Sequence, residues 1–130
     1  MSEDREAALA FVEGYGRTWE GWDIAGFVDL FTEDVIYTDH PTEETVVGRE
    51  ALEHYVRKEQ AQQGAVAVRM GVPIVDGNRV SAEFWAAGEQ ATIAGCLIAH
   101  IDGGHGRCSH FREYWFEIDG HASPKDGWGD

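Results

Sequence analysis

Three residues far apart in the chain have side chains suited to proton transfer: Tyr15, Asp39 and Glu113. Asp39 stands near the end of the run Val35-Ile-Tyr-Thr-Asp-His40, which reads as a short strand stopped by Pro41. The two-residue period of a strand puts Val35, Tyr37 and Asp39 on one face. A carboxylate aimed inward from such a strand is desolvated and suited to proton abstraction. Its other reading is a cap on the Pro41 loop through backbone N–H groups. Tyr15 can donate to an oxyanion or a substrate carbonyl, or it is an amphipathic core residue whose hydroxyl a neighbour satisfies. Glu113 can act as a second acid opposite Asp39, because two carboxylates in unlike environments divide acid and base roles. Alternatively it pairs with an arginine such as Arg112 or Arg69, or contacts a helix end.

Other chemistries find less support. His40 follows Asp39 and points to the opposite, solvent side. His100, His105 and His110 invite a metal, yet His105 falls in a turn and the other two on an outer face, without a helical HExxH-type spacing. No metal is expected. The chain has no G-x-G-x-x-G, no P-loop and no G-x-S-x-G, so no nucleotide or other cofactor is implied, and Ser109 has no evident His and Asp partners.

The elements that must position these residues are legible from periodicity. The longest apolar stretch runs from Ala91 to Phe116. Two strand-like runs there flank Asp102-Gly103-Gly104-His105-Gly106, a turn whose glycines allow positive φ. Ile93, Leu97, Ala99 and Ile101 share one face, with Thr92, Cys96 and His100 on the other. If register holds across the turn, Ser109, Phe111, Glu113 and Trp115 join the inner face. A carboxylate placed there is partnered, functional, or exposed through a different register. Before the hairpin, residues 3–20 form a helix with the stripe Ala8, Phe11, Val12, Tyr15 and Trp19, interrupted by Gly14 and Gly16. Asp23 caps a second helix ending at Glu33-Asp34, and Thr42–Gly48 is a loop. A third helix spans Arg49 to about Gln62. Val66 to Ile74 is a long strand with an edge or bulge at Pro73. Asp76-Gly77-Asn78 turns into a strand in which Val80, Ala82 and Phe84 alternate with Ser81, Glu83 and Trp85. The tail from Asp119 is irregular.

Helices first and an antiparallel meander afterwards make an α+β domain. A curved antiparallel sheet wrapped around N-terminal helices, cone-like, leaves an internal pocket. Trp19, Phe84, Leu97, Phe111 and Trp115 are its expected substrate-binding walls.

The 130 residues suit one domain with a real core. A hydrophobic content of 43% and five tryptophans argue against disorder. The net charge of −14 repels phosphates, so nucleic acid is not an expected partner. No apolar run approaches the roughly 18 residues of a membrane span. Cys96 and Cys108 sit at unequal distances from the turn, which argues against their pairing. With no signal peptide, reduced thiols in the cytoplasm are expected.

The stretch WEGWDIAGFVDLFTEDVIYTDHP…VVGREALEHYV resembles the opening of the nuclear transport factor 2-like, or SnoaL-like, superfamily. TIAGCLIAHIDGGHGRCSHFREYW resembles the closing hairpin of its small bacterial members. The superfamily spans ketosteroid isomerases, polyketide cyclases, epoxide hydrolases, dehydratases and transport factors, so fold alone does not supply the activity. Ketosteroid isomerases carry a tyrosine on the first helix as oxyanion donor and a general-base aspartate at the end of the first strand; Tyr15 and Asp39 occupy matching places. Their second oxyanion acid corresponds to a position near Leu97, which cannot donate. Polyketide cyclases resemble this chain in an acidic residue on the last strand, for which Glu113 is the nearest match. The implied function is a small cofactor-free enzyme doing isomerisation, dehydration or aldol-type cyclisation on an apolar carbonyl or polyketide-like molecule. Asp39 would take the proton, Tyr15 stabilise the enolate oxygen and Glu113 return or relay the proton. The alternative is a non-catalytic ligand-binding or interaction protein of the same fold. A homodimer is expected through the outer sheet face, where Trp85, Ile98, Arg112 and Tyr114 stand with Glu83, Cys96, His100 and His110; the alternative is that the C-terminal tail, with Pro124 and Trp128, folds back to cover this face or the pocket mouth.

Overall fold

The computed structural model describes residues 2–40 and 44–130. Pro41, and with it any loop cap by Asp39, lies outside the described residues. The first helix, α1 (Ser2–Gly21), runs uninterrupted through both glycines. Gly16 has a packing reason: a Cβ there would stand 2.7 Å from Met70 Cγ. The helix can therefore lie directly on the sheet. Asp23 caps α2 (Ile24–Val28) by accepting from the Gly26 N–H at 3.0 Å.

That second helix is shorter than its apolar spacing suggests. The chain turns at Asp29-Leu30, and β1 (Phe31–Asp39) begins four residues before Val35. Phe31 is fully buried between aromatic rings, so tertiary packing overrides the local helical spacing. The stretch expected as a loop contains β2 (Glu44–Val47), paired antiparallel with β1. The third helix, α3, spans Arg49–Gln63. The long strand expected over 66–74 is divided into β3 (Val66–Met70) and β4 (Ile74–Asp76), interrupted at Gly71-Val72-Pro73. Proline has no N–H to give a ladder, and the ladder breaks at Pro73, while the Gly71 and Val72 N–H groups donate to Glu83 O and Gly129 O. Long strands β5 (Arg79–Gly88), β6 (Ala91–Ile101) and β7 (Cys108–Asp119) complete the fold.

One sheet holds all seven strands in the order β2-β1-β7-β6-β5-β3, with β4 also on β5. It is curved, unclosed and mixed. All pairs are antiparallel except β1 with β7, which is parallel and corrects the all-antiparallel expectation. The Cys108 N–H donates to Leu30 O at 2.9 Å, so the two strands start side by side at the same end. Gly95 faces Trp115 across the β6–β7 ladder, and a Cβ there would collide with the Tyr114 carbonyl oxygen. Only glycine permits that close approach, and it falls in the longest pair of strands.

The concave face carries Val80, Ala82, Phe84, Leu97, Ala99, Ile101 and Phe111, all buried against Phe11, Tyr15 and Phe31. Ser109 is not among them. The register shifts between His100 and Ile101, which pair with His110 and Cys108, so Ser109 is the extra residue of a bulge. Cys108 takes the buried place instead, and both cysteines are unpaired.

The C-terminal residues fold back over the convex face. Trp85 Nε1 donates to Ala122 O at 2.9 Å, and Trp128 packs edge-on against the Trp85 ring. The Thr92 hydroxyl donates to Gly120 O and accepts from the Ala122 N–H. Trp85, expected as an open interface anchor, is therefore a contact for the protein's own tail. Among the described residues, no helix is long and apolar enough to cross a membrane.

Candidate active site

The β1 and β7 strands run parallel in a register that sets Asp39 directly beside Glu113. Strand periodicity aims both inward, and both are buried. Neighbouring groups fix each carboxyl. Tyr15, from α1, donates its hydroxyl to Glu113 Oε2 at 2.7 Å. Tyr37, two residues before Asp39, reaches Glu113 Oε1 at 3.4 Å. Trp115, two residues after Glu113, donates its indole N–H to Asp39 Oδ1 at 2.7 Å. The Tyr37 ring stacks on Phe111 at 4.5 Å and 14°, which holds the phenol in place.

Burial pushes the Glu113 carboxyl well above the usual range, and the charge of Asp39 pushes it the same way. The Tyr15 hydrogen bond pulls in the opposite direction and is outweighed. Burial and the neighbouring carboxyl therefore both favour the protonated form of Glu113. The result is an acid beside a base. Tyr15 and Tyr37 are both driven far above the ordinary phenol value, by burial first and then by Glu113, and so stay neutral donors.

Above the pair opens a cavity of about 580 Å³. Its walls include Trp19, Phe84 and Trp115, and also Trp22, Phe27, Tyr37, Tyr55 and Ile93. Leu97 and Phe111 are corrections. Neither belongs to the lining: Leu97 is fully buried opposite Glu113 in the β6–β7 register, and Phe111 lies beneath Tyr37. Inward direction put them in the core, but a second layer of side chains separates them from the open space. The third helix supplies polar groups that strand patterning could not find. Trp19 Nε1 donates to Gln63 Oε1 at 2.9 Å, and Gln63 Nε2 donates to Glu59 at 3.1 Å. Burial raises the Glu59 carboxyl. Tyr55, one turn before Glu59, lies beside Asp39 and is also pushed far up by burial. Their i,i+4 spacing on α3 was the available signal, but nothing in the sequence showed that α3 roofs the cavity.

The histidines stay outside this geometry. His100 and His110 face each other across the convex side at 5.7 Å, and His40 packs against Tyr114 and Trp115. Among the described residues, no group of three His, Cys, Asp or Glu is placed to hold a metal ion. Tyr15, Asp39 and Glu113 do come together. The Tyr15 hydroxyl, however, has one proton and spends it on Glu113, so it has none to offer an oxyanion.

Comparison with known proteins agrees with this architecture. No curated protein sequence matches the chain. A protein from Catenulispora acidiphila, with a ketosteroid isomerase-like fold and in complex with trimethylamine, superposes with a TM-score of 0.71 at 21% identity, over 80% of this chain and 83% of that one. The epoxide hydrolase/cyclase-like enzyme SalBIII, from pyran ring formation in salinomycin, superposes with a TM-score of 0.76 at 19% identity, over 88% and 94%. A Mycobacterium tuberculosis protein in complex with estradiol-17beta-hemisuccinate gives 0.70 at 15% identity, over 86% and 98%. These identities establish a shared fold. The family model for the SnoaL-like domain matches residues 10–109, most of the chain, with the second half of α1, all of α2 and α3 and six of the seven strands in full. The chain belongs to the SnoaL-like domain family.

Proposed function

We propose that the protein is a small enzyme performing acid–base chemistry on an apolar carbonyl or polyketide-like molecule in this cavity, by isomerisation, dehydration or aldol-type cyclisation. The observation that carries the reading is the register-paired, buried Asp39 and Glu113, one fit to take a proton and the other holding one. Asp39 removes a proton α to the carbonyl. Glu113 donates to the oxygen that gains charge or returns the proton to carbon. Tyr15 and Tyr37 keep Glu113 aimed, so Tyr15 is a positioning residue rather than an oxyanion donor. A small-molecule occupant is in keeping with the ligands bound by two of the structural neighbours.

Exchange of α-protons in D₂O, followed by NMR over a panel of cyclic ketones and β-keto esters, tests the reading without the physiological substrate. Asp39→Asn should lower exchange by about 10²–10⁴-fold. Full exchange in that variant would remove Asp39 from the mechanism.

One observation favours a second reading, a non-catalytic binding protein. Among the described residues, every buried side-chain polar atom already has a partner, so the dyad is satisfied without a substrate. Wild-type protein that binds panel members yet exchanges none of them would favour that reading. We further propose a two-fold homodimer through the part of the convex face that the tail leaves uncovered.

A further inference from the structure

We propose that the ligand of this cavity carries a positively charged nitrogen, held by the Asp39 and Glu59 carboxylates and by the aromatic surfaces of Trp19, Trp22, Tyr55 and Trp115. This rests on the acid–base reading only in using the same cavity. The charge of the lining is one-sided. Asp23, Asp39, Glu44, Glu59, Glu113 and Glu117 line it, against Lys58 as the cation among the described lining residues. Lys58 Nζ is committed to Glu44 at 2.9 Å on the exposed rim. Asp23 is spent on capping α2, and Glu113 holds its proton; burial raises Glu59, which accepts from Gln63, and an ammonium beside it favours its charged form. The charge left facing the interior is negative, which repels a carboxylate or phosphate and attracts a cation.

The aromatic groups make the second, independent half of the case. Each lining indole has its N–H tied to a fixed acceptor. Trp19 donates to Gln63, Trp22 to Gly64 O at 2.7 Å and Trp115 to Asp39. These rings have no donor left for a ligand; what they offer is carbon and the negative face of the π system, which favours an ammonium. Their orientations are set before binding, so little ordering is needed.

The test uses three probes of nearly one shape: benzyltrimethylammonium, its neutral carbon counterpart neopentylbenzene, and the anion benzylsulfonate. Binding to the full chain is followed through the ¹⁵N–¹H signals of the Trp19, Trp22 and Trp115 indoles. The ammonium should bind at least about tenfold more tightly than neopentylbenzene. Benzylsulfonate should leave the three signals in place. Glu59→Gln should weaken the ammonium several-fold and leave neopentylbenzene unchanged, with the remaining indole signals reporting that the fold is intact. Equal or tighter binding of the neutral probe, or ammonium binding indifferent to Glu59→Gln, overturns the proposal. So does an absence of indole shifts with the ammonium. None of these readouts involves turnover. Loss of α-proton exchange with ammonium selectivity retained would remove the acid–base reading alone, and the reverse result would remove this proposal alone.

Discussion

The Tyr15 hydroxyl donates to Glu113 Oε2 across 2.7 Å and joins the middle of α1 to β7 at the cavity floor. The bond is wholly buried and links residues 98 positions apart. Tyr15→Phe removes the donor and leaves the ring stack almost unchanged. It should destabilise the fold by about 1 kcal/mol in urea titrations, the usual worth of one buried hydrogen bond. This bond lowers the Glu113 pKa, so its loss should drive Glu113 still higher. A ¹³C titration of the glutamate carboxyls would show the shift. A downward shift would mean that the hydroxyl serves another partner.

Glu113 also makes a prediction about pH. Its folded-state pKa is raised, so between the ordinary carboxylate value and that raised value the native state holds a proton the unfolded chain has lost. Stability from this group is complete below the unfolded pKa, near 4.3, and falls as pH rises above it, by up to about 1.4 kcal/mol per pH unit for one proton. Glu59 is raised too and contributes in the same direction. Glu113→Gln keeps an acceptor for Tyr15 and removes the titration. Its stability should therefore decline less than that of the wild type between about pH 5 and 7. Parallel decline of the two proteins in denaturant titrations across that range would contradict the protonated state assigned to Glu113.

The same residues show how far sequence alone reaches. Period-two alternation put Tyr37 and Asp39 on one inner face and Phe111, Glu113 and Trp115 on another, and the burial pattern agrees. It could not show that the two faces meet, because β1 and β7 pair in parallel and are separated by most of the chain. The boundary of α2 was misplaced because Ile24, Phe27, Leu30 and Phe31 have helical spacing, while the fold needs Phe31 on a strand. The four-residue β2 is too short to signal itself. Leu97 and Tyr37 both point inward, yet only Tyr37 reaches the cavity wall. Depth depends on packing across layers, which no single strand's pattern contains.

Gly95 gives a stability prediction with a clear sign. Its backbone φ is ordinary, so alanine is not excluded by conformation; it is excluded by space, because the added methyl would meet the Tyr114 carbonyl and the Trp115 Cα. The β7 backbone cannot yield as a flexible side chain would. Gly95→Ala should cost about 1–3 kcal/mol and disturb Trp115, hence the Asp39 contact. Gly16→Ala is the control. Its methyl would press on the flexible Met70 side chain and gains helix propensity of about 1 kcal/mol, so the net change should be smaller. Equal losses in thermal melts would refute the distinction.

Association is decided by what the tail leaves uncovered. Ile36, Val47, Tyr114 and Phe116 are 41%, 63%, 40% and 58% exposed on neighbouring strands β1, β2 and β7 of the convex sheet. Trp85, on β5, is closed off by Ala122 and Trp128. The open apolar set is more than a solvated sheet face needs, and pairing two copies across a two-fold axis buries it in a closed assembly. Sedimentation at micromolar concentration should give twice the 14.4 kDa chain mass. Tyr114→Asp combined with Phe116→Asp should return it to the monomer, because a desolvated aspartate at the centre of the interface has no partner. Trp85→Asp should instead free the tail, seen as new exposure of Trp128, without dissociating the dimer. A wild-type species at the chain mass would overturn the dimer, and dissociation by Trp85→Asp alone would move the interface to the tail side of the sheet.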